Sequence, residues 1–326
     1  MDLCIYHRSD LDGIGSAAVV RLAYPGIQIA GFNYGEPYPH SLQLLKEEEA
    51  KHPGTCNLIM VDISFPPEEM KALKELFGIR FVWCDHHITA IEDSKSNGYD
   101  DVWGLRSTDQ AAVQLVFTLM KARIYERQSL DGLTAGHVQK RVDYLGNYDR
   151  WANTDPVAWE EEILPFQWGM RHLVGGNVDT CANLLLGRKV DNPLMVVLSA
   201  NIDPVMTLGK VIYAYEKSRA EMIVKGAFTI QFEGLKFLVL NGQGINSNTF
   251  ISRWDNQKWD GMMSFGFSSK TGAWAVSMFT DKEGLDLSAI AKKRGGGGHM
   301  RACGFSLKDP SEIVGGIVPS PDITPR

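Results

Sequence analysis

The stretch His7-Arg8-Ser9-Asp10-Leu11-Asp12-Gly13-Ile14-Gly15-Ser16 follows directly on the apolar run Leu3-Cys4-Ile5-Tyr6. The run reads as a short strand buried on both faces, and Ser16 to Leu22 reads as a helix. Between them stand an imidazole, two carboxylates and two glycines, a composition suited to a tight polar turn at a strand end. Taken alone, a polar loop with an N-cap aspartate explains it equally well. The pattern then repeats. Ile27 to Phe32, Leu58 to Val61 and Arg80 to Cys84 read as further strands. Ser41 to Ala50 reads as a helix capped by Ser41. Glu68 to Phe77 reads as a helix opened by Pro66-Pro67, with Glu68 and Glu69 favouring its positive end. Strand–helix alternation with short links predicts an α/β fold with an N-terminal doubly wound, mostly parallel sheet.

Two more polar groups sit where strands end. Asp62 follows Leu58-Ile59-Met60-Val61, and Asp85-His86-His87 follows the strand ending at Cys84. In open α/β sheets ligands collect at the carboxyl ends of the strands. A lone aspartate there is commonly a cap or a surface acid, but three strands ending in Asp or His can converge on one crevice. Asp10, Asp12, Asp62 and Asp85 cannot crowd there unpaired, because like charges at close range oppose ionisation. Divalent cations supply the missing charge. Carboxylate and imidazole donors without thiolate point to Mn²⁺, Mg²⁺ or Co²⁺ rather than structural zinc, and the imidazoles tilt the choice toward Mn²⁺. The donor count suits two ions sharing one carboxylate, as in two-metal hydrolytic sites with ions ~3.5–4 Å apart. Asp62, alone between two His-containing groups, is the natural bridge.

Farther along, Thr108 to Ala122 has helical spacing after Ser/Thr caps, with Arg106 close by as a phosphate contact or part of a helix cap. Residues 134–187 read as a helical layer, and a helix from about Pro204 to Val224 reads as a connector. After Lys225 the period becomes two. Phe228–Phe232 with Lys236–Leu240 reads as a hairpin, and Met262–Phe267 with Trp274–Phe279 as two antiparallel strands. A short helix, Leu287 to Arg294, leads into Gly295-Gly296-Gly297-Gly298-His299. The glycines expose N–H groups that can cradle a phosphate, His299 adds a donor, and Lys292, Lys293 and Arg294 add local positive charge. The expected organisation is a metal-binding catalytic domain over 1–190, a helical linker over 191–225, a smaller α+β substrate-binding domain over 226–318 and a frayed tail over 319–326.

Composition narrows the classes. In 326 residues, 33 Lys plus Arg stand against 39 Asp plus Glu, a net charge of −6, which disfavours gripping long duplex nucleic acid by bulk electrostatics. The five cysteines form no C-x-x-C pair, so a zinc knuckle is not indicated and buried reduced thiols are expected. The opening Met1-Asp2-Leu3-Cys4 lacks a signal-peptide pattern, and no apolar run reaches the ~18–20 residues that span a bilayer. A cytoplasmic protein without membrane contact is expected, with a homodimer left open.

The motifs His7-Arg8-Ser9-Asp10-Leu11-Asp12-Gly13, Asp62, Asp85-His86-His87 and Gly295-Gly296-Gly297-Gly298-His299 together resemble those of the DHH phosphoesterases with the DHH-associated C-terminal domain. That subgroup includes nanoRNases (oligoribonucleases), linear and cyclic dinucleotide phosphodiesterases and RecJ-type exonucleases. The resemblance implies one more aspartate, carried to Asp149 within Asn147-Tyr148-Asp149-Arg150-Trp151, with Asp143 the competing position. It implies that His7, Asp10 and Asp62 hold one ion and Asp12, Asp62, His86 and Asp149 the other. Asp85 orients an imidazole, His87 faces the substrate phosphate, and water attacks phosphorus in line. Arg294, Gly296, Gly297, Gly298 and His299 are the implied substrate contacts. Cys303 stands where the family usually has Ala.

The expected function is a divalent-metal-dependent phosphodiesterase that cuts short single-stranded RNA or DNA, or dinucleotides, to mononucleotides in a cleft between two domains. The alternatives are a phosphatase acting on 3′-phosphoadenosine 5′-phosphate or a small phosphoanhydride, a cyclic dinucleotide phosphodiesterase, and a nucleotide-binding module with a dead site.

Overall fold

Strands β1 (Asp2–His7), β2 (Gln28–Phe32), β3 (Asn57–Val61) and β4 (Phe81–Cys84) form a wholly parallel sheet in the order β2-β1-β3-β4. The computed structural model describes residues 1–191 and 203–318. Part of the expected linker, 192–202, and the expected tail, 319–326, lie outside the described residues. The chain divides into two compact units, Met1–Tyr213 and Ala214–Arg326, and the division falls within the helix Pro204–Ile223.

Period-two alternation decides what each face of the sheet touches. Leu3, Ile5, Leu58, Met60, Phe81 and Trp83 are buried on one face, under α2 (His40–Lys51), α3 (Pro67–Phe77) and α4 (Ile88–Asn97). Cys4, Tyr6, Ile59, Val61 and Cys84 point to the other face. There α1 (Leu11–Ala23), α5 (Ala112–Gln128) and α6 (Gly132–Asp149) pack. A helical turn, α7 (Pro156–Ala158), precedes α8 (Leu164–Val174) and α9 (Val178–Leu185), which complete that layer. With both faces covered, the strand interiors are apolar, as in buried parallel strands. All five cysteines are buried and unpaired.

Several local readings change. The helix α1 begins at Leu11 rather than Ser16, because Asp10 caps it by accepting from the Gly13 amide at 3.0 Å. Gly13 and Gly15 therefore lie inside the helix. A Cβ at Gly13 would sit 1.8 Å from the His7 carbonyl oxygen, so the glycine is needed for close approach rather than for a turn. Ser41 lies within α2 and does not cap it; Pro39 precedes the helix instead. The helix expected at Thr108 starts at Ala112. Arg106 neither starts nor caps it. Its guanidinium donates to the carbonyls of Trp83, Asp100 and Val102 and stacks over Trp83. It fastens a segment, Trp103 to Ser107, that runs beside β4 through bridges at Trp103 and Arg106.

The second unit is a seven-stranded sheet in the order β11-β5-β6-β7-β8-β10-β9. Its strands are β5 (Phe228–Phe232), β6 (Leu235–Asn241), β7 (Gly261–Ser268), β8 (Ala273–Phe279), β9 (Gly297–His299), β10 (Ala302–Leu307) and β11 (Ile317–Val318). The β6–β7 pairing is parallel and the others antiparallel. Glu233 and Gly234 join β5 to β6, both at positive φ (50° and 79°), as a two-residue hairpin turn requires. Among the described residues, no helix is long and apolar enough to cross a membrane.

Two side-chain arrangements in the first unit lead to stability predictions. Glu49 is buried, accepts from the amides of Gly54 (2.7 Å) and Cys56 (3.0 Å), and pairs with Arg80 at 2.7 Å. Arg80 and these amides hold its carboxyl down at about 2. A folded value below the unfolded one stabilises above the unfolded pKa, and the gain is lost as pH falls through the folded value. Glu49→Gln should lower the urea midpoint at neutral pH, and the gap from wild type should narrow below about pH 4.5. A gap that stays constant with pH would count against the charge. Helix α8 and the start of the helix Pro204–Ile223 touch through glycines. A Cβ at Gly209 would lie 1.8 Å from the Pro165 carbonyl oxygen, and one at Gly169 2.0 Å from that of Val205. Gly209→Val should therefore cost at least about 1–3 kcal/mol in denaturant melts; an unchanged midpoint would contradict the close crossing.

Candidate metal centre

The order β2-β1-β3-β4 places the reversal of strand order between β1 and β3, the position where open parallel sheets gather ligands. His7 ends β1 and Asp62 follows β3, and they face each other across that point, His7 Nδ1 lying 3.6 Å from Asp62 Oδ2. Asp10 Oδ2 lies 3.0 Å from the same nitrogen. On the other side of Asp62, its Oδ1 is 3.4 Å from His86 Nε2. That imidazole nitrogen is also 3.6 Å from Asp12 Oδ2 and 3.5 Å from Asp149 Oδ2. One carboxylate thus faces two donor sets, His7 with Asp10 and His86 with Asp12 and Asp149. Within each of the sets His7–Asp10–Asp62, Asp12–His86–Asp149 and Asp62–His86–His87, donor atoms lie within 4.8 Å of one another.

The backbone holds these groups in place by different means. Asp62 has φ +60°, a left-handed conformation that costs an L-residue roughly 1–3 kcal/mol and clusters at functional sites. Its amide donates to the Cys84 carbonyl at 2.9 Å, which ties the end of β3 to β4. Asp12 accepts from the amides of Ala112 and Val113, each at 2.9 Å. It caps α5 from a distance of a hundred residues, and this is why that helix starts where it does. Asp85 is fully buried. Its Oδ1 accepts from the amides of His86 (2.7 Å) and His87 (3.1 Å) and lies 2.8 Å from His87 Nδ1. It thereby orients the His87 ring, whose Nδ1 is also 3.9 Å from Asp62. Asp149 is the last residue of α6 and points to His86. Asp143 lies on the same helix outside the group, held by the amides of Gln114 and Gln139.

Electrostatics set the acids apart. Burial, reinforced by the Asp62 and Asp149 charges, pushes the Asp12 carboxyl well above its usual range. Burial also lifts Asp149 to about 6, with Asp62 adding to it against the pull of His86. Burial opposes ionisation of Asp62 too, but His7 and His86 hold its carboxyl below the ordinary value. Burial would lower His7, yet Asp10 and Asp62 bring it up to about 10, and Asp85 likewise brings His87 up to about 9. His7 Nδ1 and Asp62 Oδ1 are buried at the centre and face the Asp10 and His86 side chains, at 3.0 and 3.4 Å, without well-aligned hydrogen bonds. Oxygen and imidazole donors converging in this way fit divalent cations.

The C-terminal residues lie in the second unit and are described there. Gly297, Gly298 and His299 form β9, an edge strand paired with β10 rather than a free turn. A Cβ at Gly296 would meet the Gly304 carbonyl oxygen at 2.0 Å, and Gly298 has φ +128°, so both positions demand glycine. Arg294 pairs with Glu233 and Glu312, each at 2.7 Å, and its guanidinium lies over Phe232. Sequence reasoning passed over Tyr34, whose ring is 6.0 Å from that of His7. Within Asn33-Tyr34-Gly35 nothing distinguishes it from an ordinary turn residue.

Comparison with known proteins bears on this arrangement. Residues 2–138 match the DHH family, N-terminal domain. No curated protein matches the chain by sequence. Among solved structures the chain is similar to PggH, a pGpG-specific phosphodiesterase from Vibrio cholerae, at 11% identity and TM-score 0.50, covering 95% of this chain and 94% of that one. It is also similar to an uncharacterized protein from Helicobacter pylori G27 (16% identity, TM-score 0.45, 94% and 93% covered). A third is exonuclease RecJ bound to manganese (16% identity, TM-score 0.46, 96% and 87% covered). At such identities the likeness is one of fold. The match to the DHH family, N-terminal domain, spans residues 2–138, which hold every donor of the candidate Asp/His metal site except Asp149.

Proposed function

We propose that this chain is a divalent-metal-dependent phosphodiesterase that hydrolyses short single-stranded oligonucleotides or dinucleotides to mononucleotides. The observation that carries the reading is the Asp62 carboxylate, one oxygen toward His7 and the other toward His86. His7, Asp10 and Asp62 would hold one cation, and Asp12, Asp62, His86 and Asp149 the other; the donor types favour Mn²⁺. Two such cations, when bound, stabilise charge on phosphoryl oxygens and lower the pKa of a water nucleophile.

The protein's own groups do the rest. Asp62 keeps both donor sets in register through a backbone fixed between β3 and β4. Asp12 is anchored by the first turn of α5, so its position is coupled to helix packing. Asp85 fixes the His87 ring through its Nδ1, so that the ring would be oriented to hydrogen-bond a phosphoryl oxygen. In the second unit we assign substrate contacts to the backbone of Gly296, Gly297 and Gly298 and to His299, with Arg294 supporting the tract through its carboxylate partners. PggH, which shares the fold, is specific for the linear dinucleotide pGpG, and this agrees with a short linear substrate.

Two outcomes test the reading. Mn²⁺ should raise the melting temperature of wild type, by about 2.7 kcal/mol of added stability at a hundredfold excess over Kd. Asp62→Asn should abolish that rise while keeping the far-UV circular dichroism. In turnover, labelled dinucleotides and short RNAs should give mononucleotides with Mn²⁺. Asp62→Asn should lose more than the ~10–100-fold typical of an outer partner of a metal ligand. Phosphate release from 3′-phosphoadenosine 5′-phosphate without cleavage of any dinucleotide would reassign the chain as a phosphatase. Full activity in a folded Asp62→Asn would remove the metal bridge.

A further inference from the structure

We propose that an open pocket beside the metal cluster, walled by Tyr34, Tyr38 and Phe65, seats a nucleobase of the substrate. This assignment rests on the phosphodiesterase reading and adds a specificity element to it. The pocket has a volume of about 580 Å³, within the ~300–1,000 Å³ usual for small-ligand sites.

Its location follows from the sheet. Phe32 at its floor is the register partner of His7. Its second wall begins at Ser64, two residues beyond Asp62, and its third at Thr89, two residues beyond His87. Two segments that carry metal donors, those of Asp62 and of His86-His87, therefore continue directly into pocket walls, and the third wall follows β2, the strand paired with that of His7. Tyr34 joins the two regions, its ring 6.0 Å from His7 and its hydroxyl near the Ser64 amide at 3.4 Å.

Its chemistry selects an uncharged flat group. Tyr34 and Tyr38 are 56% and 42% exposed, a large aromatic surface to leave in water. The rings are also held in place: Tyr38 lies 4.5 Å from Phe65, and Phe65 meets Phe32 edge-on at 5.2 Å. A ring fixed by packing loses little freedom when a ligand stacks on it. No lysine or arginine lines the pocket, whereas Glu36 and Asp93 do. A phosphate placed there would meet the Asp93 carboxylate and a Glu36 whose charge is already matched by Arg8 at 2.7 Å, with no unpaired cation in the lining. The phosphate of a nucleotide accordingly belongs at the metal cluster, and its base, which has a π-face and donor groups, belongs against the tyrosines.

The test compares wild type, Tyr38→Ala and Tyr38→Phe on a dinucleotide and on the same compound with one base removed. Wild type should prefer the complete dinucleotide. In Tyr38→Ala the KM for the complete dinucleotide should rise on the order of 5- to 150-fold, the range for one lost stack. The penalty for removing the base should then shrink toward nothing, while Tyr38→Phe keeps it. An undiminished base preference in Tyr38→Ala overturns the pocket and leaves the phosphodiesterase reading intact. A second measurement judges the pocket without turnover: the uncharged 2-aminopurine riboside titrated with the Mg²⁺-loaded protein. Fluorescence quenching that Tyr38→Ala abolishes supports the pocket, even were wild type to cleave no dinucleotide and the functional reading to fall. Absence of quenching, or quenching unaffected by the substitution, refutes it.

Discussion

Buried negative charge is the constraint around which the first unit is built. Asp12, Asp62 and Asp85 are all nearly inaccessible, and Asp149 joins Asp12 and Asp62 around one imidazole. Two like charges 4 Å apart repel by about 4 kcal/mol at an effective dielectric near 20. Burial and like charge raise Asp12 and Asp149, His7 and His86 hold Asp62 down, and the carboxylates raise both imidazoles. Protons and divalent cations compete for such donors, and in the proposed holoprotein cations would offset the buried charge.

The rest of the unit keeps that charge where it is. A sheet of order β2-β1-β3-β4 opens a crevice only between β1 and β3, and the two ends of that crevice are His7 and Asp62. Gly13 lets α1 approach the end of β1, the left-handed turn at Asp62 aims its carboxylate back into the crevice, and the two amides of α5 bind Asp12. The Asp12 arrangement does two things at once. It satisfies N–H groups that any helix start leaves open, and it places a carboxylate whose remaining lone pairs face His86.

How much of this could be read in the sequence depended on the range of the cause. The four strands and the polar residues after three of them were legible because apolar runs and strand-end acids are local patterns. The start of α5 was not, since its cap comes from Asp12, a hundred residues earlier; Ser107 and Thr108 offered a nearer and wrong candidate. The segment beside β4 was missed because Trp103 to Ser107 has no strand periodicity and is held by Arg106 reaching back to Trp83. That Gly297, Gly298 and His299 form an edge strand was not legible, since the pairing is visible only once β10 is in place. The pairing of Arg294 was not legible either, because Glu233 lies sixty-one residues away.

For the proposed polyanionic substrate, an acidic chain must confine its attraction to a small region. The basic run Lys292-Lys293-Arg294 does not supply a track, since Lys293 and Arg294 are already paired with Glu233 and Glu312. The pocket beside the cluster is lined by carboxylates rather than cations. Affinity for a long strand grows with the number of phosphates neutralised, and each released counterion steepens its dependence on salt. With a net charge of −6 and two of the three cations of that basic run already paired, bulk attraction for a long strand is weak, and the proposed short substrate depends instead on the groups around the reacting phosphate.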